Sequence, residues 1–171
     1  MLNTSTPKLR VNDFIQDSIV DGYGLRFVVF TQGCPLRCVG CHNPGTHDLE
    51  GGHLIELSEI RKEWKKNPLL TGITISGGEP FIQKDAVYEL IKLAKADGLG
   101  VNIYSGFTYD ALKKKEDTTI DLILESADIL IDGPFVIGLK NLNLLWRGSE
   151  NQRVIDLKET KRLGRVVEIK D

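Results

Sequence analysis

The stretch RFVVFTQGCPLRCVGC, residues 26–41, decides the fold of this chain. Its first six residues are mostly β-branched or aromatic, and Gly24 and Gly33 bound them, which is typical of a buried strand. The residues that follow contain proline and glycine and predict a loop. A strand therefore leads into a loop that carries every cysteine of the chain. These cysteines are Cys34, Cys38 and Cys41.

Short apolar runs recur along the rest of the chain, at intervals close to the length of one strand plus one crossover helix. The runs begin at Gly72, Gly100, Asp128 and Val154. Helical periodicity fills the segments between them, most clearly over residues 84–97, where apolar side chains recur on one face before Gly98. Two further helices are predicted, one with Ser58 as its N-cap that ends before Pro68, and one with an apolar face over residues 120–127.

This rhythm predicts an α/β fold of about five or six mostly parallel strands with outer helices. Such a sheet is either open and doubly wound or an incomplete, open (β/α) barrel, since a closed eight-stranded barrel typically needs about 250 residues. A chain of 171 residues buries one sizeable core, so a single domain over residues 1–171 is expected.

Glycine-rich and polar motifs follow the predicted strands. The cysteine loop follows the first strand, residues 76–80 (SGGEP) the second, residues 105–106 the third and residues 132–135 (DGPF) the fourth. Parallel α/β folds bind ligands at the carboxyl ends of their strands. We therefore expect these four segments to meet in one site.

Charge and cysteine content narrow the function classes. The 22 basic and 24 acidic side chains nearly balance, and aromatic residues are not interleaved with basic clusters, so nucleic acid is not an expected partner. No window approaches the roughly 18 apolar residues of a membrane span, and residues 1–14 lack the apolar stretch of a secretory signal. We expect a cytoplasmic protein with no membrane partner. In that compartment, three cysteines favour metal or redox chemistry over disulfides.

Three clustered thiols suit two kinds of metal site. A structural zinc ion needs four protein ligands, and His42, His47 or His53 would supply the fourth in a non-catalytic Cys3His module. A 4Fe-4S cluster held by three cysteines alone would instead leave one iron open to bind a substrate. The first arrangement predicts an interaction module and the second predicts an enzyme.

The spacing Cys-x-x-x-Cys-x-x-Cys after the first strand resembles the signature of the radical S-adenosylmethionine (SAM) superfamily. The resemblance implies the incomplete, open barrel as the fold. It also implies one 4Fe-4S cluster on Cys34, Cys38 and Cys41, whose open iron chelates the amino and carboxylate groups of SAM.

The SGGEP segment is similar to the SAM-binding segment of that superfamily. The resemblance implies that Gly77, Gly78 and Glu79 receive the ammonium group of SAM through backbone carbonyls and the acidic side chain. Glycines let backbone approach a ligand closely, and a carboxylate suits an ammonium group. An ordinary turn after a strand is the alternative for this segment.

Longer segments resemble the family of activating proteins of the anaerobic ribonucleoside-triphosphate reductase. In chain order they are residues 21–46, 75–83, 103–112, 129–135 and 145–157. The resemblance implies that a reduced cluster cleaves SAM to methionine and a 5'-deoxyadenosyl radical, which takes a hydrogen from a glycine of the large reductase subunit. Because cluster and SAM carry this chemistry, no side chain is predicted to be catalytic. The large subunit and a low-potential electron donor such as flavodoxin are the implied partners.

Other members of the superfamily share the first two motifs. The alternatives are therefore an activase of another glycyl-radical enzyme, such as pyruvate formate-lyase, and an enzyme like 7-carboxy-7-deazaguanine synthase. The tail LWRGSENQRVIDL, residues 145–157, favours the reductase.

The ends of the third and fourth strands carry further candidates. The resemblance implies that Tyr104 and Ser105 contact the ribose or carboxylate of SAM, with an ordinary strand end as the alternative. Asp132 is expected to be exposed, and either to bind a hydroxyl of SAM or to shape the loop of the partner. The alternative is a simple turn, because a Gly-Pro pair follows Asp132.

Two arginines and a histidine complete the candidate set. Arg147 and Arg153 are predicted to pair with the carboxylate of SAM or with the reductase, with surface hydrogen bonding as the alternative. His42 is predicted to pack against adenine, because Gly40 stands where many superfamily members carry an aromatic residue. Tyr23, like Gly40, differs from the pattern of related proteins, since related activating enzymes commonly carry proline at the position of Tyr23.

Overall fold

Seven strands form one sheet across residues 7–170, which are the residues that the computed structural model describes. They are β1 (Lys8–Ser18), β2 (Arg26–Thr31), β3 (His53–Glu56), β4 (Gly72–Gly77), β5 (Gly100–Tyr104), β6 (Ile129–Asp132) and β7 (Arg153–Asp156). They lie side by side in the order β3-β1-β2-β4-β5-β6-β7. Strands β2, β4, β5 and β6 are mutually parallel, whereas β1, β3 and β7 pair antiparallel with their neighbours.

Five helices accompany this sheet within the described residues. They are α1 (Leu57–Lys65), α2 (Lys84–Ala96), α3 (Tyr109–Lys113), α4 (Thr118–Ser126) and α5 (Leu157–Leu163). The apolar face predicted for α2 is the buried one, since Val87, Leu90 and Ile91 are all inaccessible to solvent. The sheet remains open because β3 and β7 lie at its two edges. The predicted α/β class with an open, mostly parallel sheet is therefore confirmed.

The two faces of the sheet differ because side chains alternate along each strand. Phe27, Ile73 and Val101 point to the helices and belong to the main core. On the opposite face, the register places Val28 beside Thr74 and Thr74 beside Asn102. The second face is therefore partly polar, and loops rather than helices cover it.

Three strands differ from the sequence prediction. The antiparallel strands β1 and β3 were not predicted, because β1 buries apolar side chains only at Leu9 and Val11 and its charged residues mask the strand pattern. Strand β7 was predicted in position, but it runs antiparallel to β6. Helix α1 begins at Leu57 with Glu56 as its N-cap, two residues earlier than the predicted cap Ser58.

The four parallel strands deliver their carboxyl ends to one edge of the sheet. These ends are Thr31, Gly77, Tyr104 and Asp132. The four motif-bearing loops leave from this edge, as the sequence predicts. No helix within residues 7–170 is both long and apolar enough to cross a membrane.

Candidate functional site

The three thiols and the glycine-rich motif line one small cavity of about 130 Å³, here called the cysteine cavity. It lies where the loops after β2, β4, β5 and β6 converge. Its lining includes Cys34, Cys38, Cys41, Gly77, Gly78, Glu79, Tyr104, Ser105, Gly106, Gly133, Phe135 and Gln152. Eight of the residues that the sequence predicted as ligands are thus brought together here.

Gln32 holds the cysteine loop in its folded form. Its side chain is buried, and its amide nitrogen donates to the carbonyls of Gly45 (3.1 Å) and Asp48 (2.7 Å). The backbone of Gly33 donates to Thr46 O (2.8 Å), which closes the same loop. A loop that is closed from within presents its thiols without any regular secondary structure.

Backbone N–H groups reach the sulfur atoms of two of the three thiols. Burial raises the pKa of the Cys34 thiol, and hydrogen bonds from nearby backbone N–H groups lower it in part. The backbone N–H of Asn43 donates to Cys41 Sγ (3.4 Å). Hydrogen bonds to sulfur are one of the means by which proteins tune iron-sulfur clusters. Three cysteines in one cavity, two of them with backbone donors at the sulfur, are a donor set that a cluster can use.

Backbone hydrogen bonds join the SGGEP segment to the cysteine loop. Gly78 N donates to Thr31 O and Glu79 N donates to Gly33 O, both at 2.8 Å. The two glycines are required sterically. A Cβ at Gly77 would lie 2.5 Å from Thr31 N, and a Cβ at Gly78 would lie 2.8 Å from the carbonyl carbon of Gly33. Only glycine lets the two loops approach this closely, and the result is a backbone cradle beside the thiols.

The carboxylate of Glu79 is engaged within the protein. The residue is fully buried, and its side chain accepts hydrogen bonds from Ser105 Oγ (2.9 Å), Gly106 N (2.8 Å) and Phe81 N (3.1 Å). Burial raises the pKa of Glu79 to about 7 against the opposing effect of these donors. The side chain therefore fixes the loop after β5 beside the cysteine cavity, which Glu79 itself lines, and its contact with SAM stays a prediction.

A second and wider cavity of about 560 Å³ adjoins the first and is here called the wide cavity. Tyr104, Phe135 and Gln152 line both cavities. His42 and Arg147 line the wide cavity only, so they lie beside the cysteine cavity without forming part of it.

Ile137, with Phe135 beside it, occupies the space that Gly40 leaves open. A Cβ at Gly40 would lie 2.5 Å from Ile137 Cδ1 and 3.4 Å from Phe135 Cε1. The ring of Phe135 also packs against His42, with centroids 4.9 Å apart. The aromatic surface expected near this position thus comes from the loop after β6.

The prediction that Asp132 is exposed is wrong. The residue is fully buried, and Arg153 forms a two-pronged contact with it, Nε to Oδ1 at 3.0 Å and Nη2 to Oδ2 at 2.6 Å. Tyr109 N also donates to Asp132 (2.6 Å). This pairing raises the pKa of Arg153, and neither residue lines the cysteine cavity or the wide cavity. Asp132 and Arg153 thus neutralise each other as a structural ion pair behind the site.

The histidines proposed as a fourth zinc ligand differ in their surroundings, and His47 accepts a hydrogen bond from Cys34 N through its backbone oxygen (3.3 Å). His53 is exposed on the edge strand β3, where it pairs with Val11. His42 packs on Phe135 as described. Within residues 7–170, no three His, Cys, Asp or Glu side chains converge as ligands of a single metal ion would.

Sequence reasoning missed three residues of the site. Gln32 carries no recognisable signal beyond its place before the cysteines. Gln152 accepts hydrogen bonds from Gly148 N and Ser149 N and donates to Gly133 O, so it ties the tail to the loop after β6. Phe135 stood in the DGPF motif, and its aromatic character was the available signal.

Comparison with known proteins identifies the family. A family model described as "4Fe-4S single cluster domain" matches residues 20–155. An anaerobic ribonucleoside-triphosphate reductase-activating protein from Salmonella typhimurium is 30% identical over 165 residues, which cover 88% of this chain and 100% of that protein. This chain belongs to the reductase-activating protein family. The counterpart from Escherichia coli K12 is 32% identical over 82% of this chain and 94% of its own length. The resemblance in the sequence is therefore confirmed.

A second type of activating enzyme is also related. The pyruvate formate-lyase 1-activating enzyme of Escherichia coli K12 is 32% identical over 78% of this chain, but this chain spans only 53% of it. As a member of the reductase-activating protein family, within the radical SAM superfamily, the chain is an enzyme. Membership also implies an iron-sulfur cluster and SAM as its cofactors.

A solved structure supports the fold. QueE from Escherichia coli superposes with a TM-score of 0.50 at 19% sequence identity, over 59% of this chain and 53% of that one. At this identity the likeness concerns the fold alone.

Proposed function

We propose that this chain activates the anaerobic ribonucleoside-triphosphate reductase by generating a glycyl radical on its large subunit. The observation that carries the proposal is the convergence of three thiols and the glycine cradle in one cavity. A cluster and SAM bound there would supply an electron and then a 5'-deoxyadenosyl radical, which takes a hydrogen atom from a glycine of the partner. The protein itself binds, orients and excludes water.

The share of each relative's length that this chain matches supports the large reductase subunit as the partner. Two reductase-activating proteins match this chain over 94% to 100% of their own length, whereas the chain spans 53% of the pyruvate formate-lyase activating enzyme. A low-potential donor such as flavodoxin would supply the electron. We assign the large reductase subunit as partner and the cytoplasm as location.

The residues of the cysteine cavity receive distinct roles. Cys34, Cys38 and Cys41 would each hold one iron of a 4Fe-4S cluster, which leaves one iron for SAM. The backbone of Gly77 and Gly78 would meet the amino acid end of SAM. These five residues contact the cofactors directly.

Other residues act beside or behind these contacts. Glu79 would act as a positioning residue through Ser105, since its carboxylate is buried and engaged. His42 and Phe135 would pack against adenine, while Tyr104 and Arg147 would border the ribose or the partner in the wide cavity.

We further propose that residues 1–171 form a single domain. One sheet and one hydrophobic core extend through the described residues, and both lie behind the same site. Residues 1–6 and 171 of this range lie outside the described residues.

A side-by-side radical assay tests the proposal. Reconstituted and reduced protein is mixed anaerobically with SAM and with either the large reductase subunit or pyruvate formate-lyase. We expect the electron paramagnetic resonance signal of a glycyl radical with the reductase. A signal with pyruvate formate-lyase alone would reassign the substrate. Colourless protein that retains one zinc ion would support the non-catalytic Cys3His module instead.

A further inference from the structure

A strap of residues 141–148 forms one wall of the wide cavity. Its two ends are joined where Asn141 N donates to Gly148 O (3.0 Å). Its tip is apolar, and both Leu142 and Trp146 line the cavity. Leu142 is 78% exposed. Apolar side chains at the rim of a cavity are typical of a surface that another molecule covers.

Trp146 holds this strap in a demanding conformation. Its φ of 55° lies in the left-handed region, which is unfavourable for a bulky residue and persists only where its surroundings fix it. Two contacts do so here. The hydroxyl of Tyr104 donates to Trp146 O (2.6 Å), and the ring of Tyr23 packs against the Trp146 ring at 85° with centroids 4.4 Å apart.

Tyr23 is presented on a rigid support. The buried guanidinium of Arg26 donates to Tyr23 O (3.2 Å) and to Ile73 O on β4 (2.5 Å). Two positions earlier, Asp21 O accepts a hydrogen bond from Thr74 Oγ1 (2.7 Å). The loop is thus anchored to the floor of the sheet, yet the side chain of Tyr23 remains 61% exposed. An exposed ring on an anchored backbone is suited to contact with another molecule rather than to packing in the core.

We infer that Tyr23 and Trp146 form a clasp that receives the glycine-bearing segment of the protein substrate. This inference deepens the proposed function and rests on it. The wide cavity continues into the cysteine cavity through shared lining residues, so a segment held at the clasp reaches the reacting centre. Those shared residues are Cys41, Ser76, Tyr104, Phe135 and Gln152.

The chemistry of the walls indicates what kind of segment enters. Exposed apolar side chains line the wide cavity, with Val20 at 71% and Leu142 at 78% exposure, and Tyr23 joins them through its contact with Trp146. The charged residues that line the wide cavity are Asp21 and Arg147. Such a lining fits an extended, uncharged main-chain segment. Because the clasp is already assembled in the free protein, binding costs less conformational entropy.

Three variants test the clasp in the cluster-loaded enzyme. Tyr23→Ala removes the ring, and Tyr23→Phe is the matched control, because the edge-on contact needs only the ring. Trp146→Gly removes the second ring but tolerates a φ of 55° and keeps the carbonyl that Tyr104 contacts. The measurements are the KM and dissociation constant for the large reductase subunit, the dissociation constant for SAM, and the methionine released per glycyl radical.

We expect Tyr23→Ala and Trp146→Gly each to weaken binding of the large subunit by about thirtyfold, the size of an interface hot spot. Both should release more methionine per radical, and Tyr23→Phe should match the wild type. Because the two rings act as one unit, the double variant should be little worse than either single variant.

Wild-type affinity for the large subunit in Tyr23→Ala would overturn the clasp. An equal weakening of SAM binding would overturn it too, because the rings would then belong to the cofactor site. These results differ from a failure of the proposed function, in which the wild type itself forms no radical on the reductase. That failure would also remove the clasp's substrate and hence the inference.

Discussion

The substitution Gly78→Ala tests the contact between the SGGEP segment and the cysteine loop. A Cβ at this position would lie 2.8 Å from the carbonyl carbon of Gly33 and 3.1 Å from its nitrogen. Non-bonded carbon atoms are at their optimum at about 3.5–4.0 Å, so one loop must retreat by roughly 0.7 Å or more. Both partners are backbone, which leaves no flexible side chain to absorb the shift. The hydrogen bond from Glu79 N to Gly33 O (2.8 Å) would lengthen or break.

The retreat moves the cradle away from the thiols. Overpacking of this kind costs about 1–3 kcal/mol of folding free energy, which lowers the melting temperature by roughly 5 °C in a chain of this size. The effect on function should be larger, since a displacement of about 1 Å near a reacting centre costs on the order of a hundredfold in rate. We therefore expect a folded protein that assembles the cluster poorly and cleaves SAM at about 1% of the wild-type rate.

The matched control is Gly45→Ala, in the cysteine loop that Gly78 contacts. A Cβ there would have no heavy atom within 4 Å, and the backbone does not require a positive φ. Iron and sulfide per chain, SAM cleavage and thermal unfolding are measured for the wild type and both variants after anaerobic reconstitution. The wild type and Gly45→Ala should carry about four irons per chain, as one cubane requires. Full iron loading and wild-type cleavage in Gly78→Ala would refute the steric argument.

Three further predictions address the thiols and the buried charges. Cys38→Ala should lose the intact cluster and SAM cleavage together, and retention of both in iron analysis and product assays would exclude this residue as a ligand. Burial raises the pKa of Glu79 from 4.5 to about 7, so in cluster-free protein the contribution of Glu79 to the free energy of unfolding should be greatest below pH 4.5 and fall by up to about 3 kcal/mol as the pH rises through 7. Chemical denaturation at several pH values should show this fall in the wild type but not in Glu79→Gln, and equal slopes would contradict it. Arg153→Met leaves the Asp132 carboxylate buried without its cation and should cost about 3–5 kcal/mol in urea unfolding; adding Asp132→Asn should recover at least about half of that loss, and no recovery would argue against the ion pair.

The strands that place the site were predictable because their chemistry is local. Strands β2 and β5 begin and end where the sequence predicts, since β-branched residues fill them and glycines or a loop bound them. The motifs after β2, β4, β5 and β6 were expected at one edge, and the parallel order of these strands brings them there. The spacing of the cysteines, together with the glycines at positions 77 and 78, was therefore enough to predict a site at this edge of the sheet.

The direction of β7 was not predictable from residues 154–157, of which three are apolar. In a parallel strand, Arg153 would start at the edge opposite the site, far from the end of β6. The observed antiparallel register sets Arg153 directly across from Asp132. An ion pair between two predicted ligands thus follows from strand direction, and a short apolar run carries no information on direction.

The buried state of Glu79 was hidden for a related reason. Its partners Ser105 and Gly106 lie more than twenty positions later in the chain and meet it only when β4 and β5 pair in register. The same holds for the clasp, because Tyr23 and Trp146 are brought together from opposite ends of the sequence. Contacts between distant loops depend on tertiary structure, which residue patterns do not specify.

Deuterium transfer from the partner tests the central claim most directly. Large reductase subunit is produced with glycine that is fully deuterated at its α-carbon, and is mixed with reduced enzyme and SAM without oxygen. If this chain generates the glycyl radical, the hydrogen taken from glycine appears in the product, so mass spectrometry should find 5'-deoxyadenosine that carries deuterium. Unlabelled 5'-deoxyadenosine with the reductase, together with labelled product from deuterated pyruvate formate-lyase, would contradict the account.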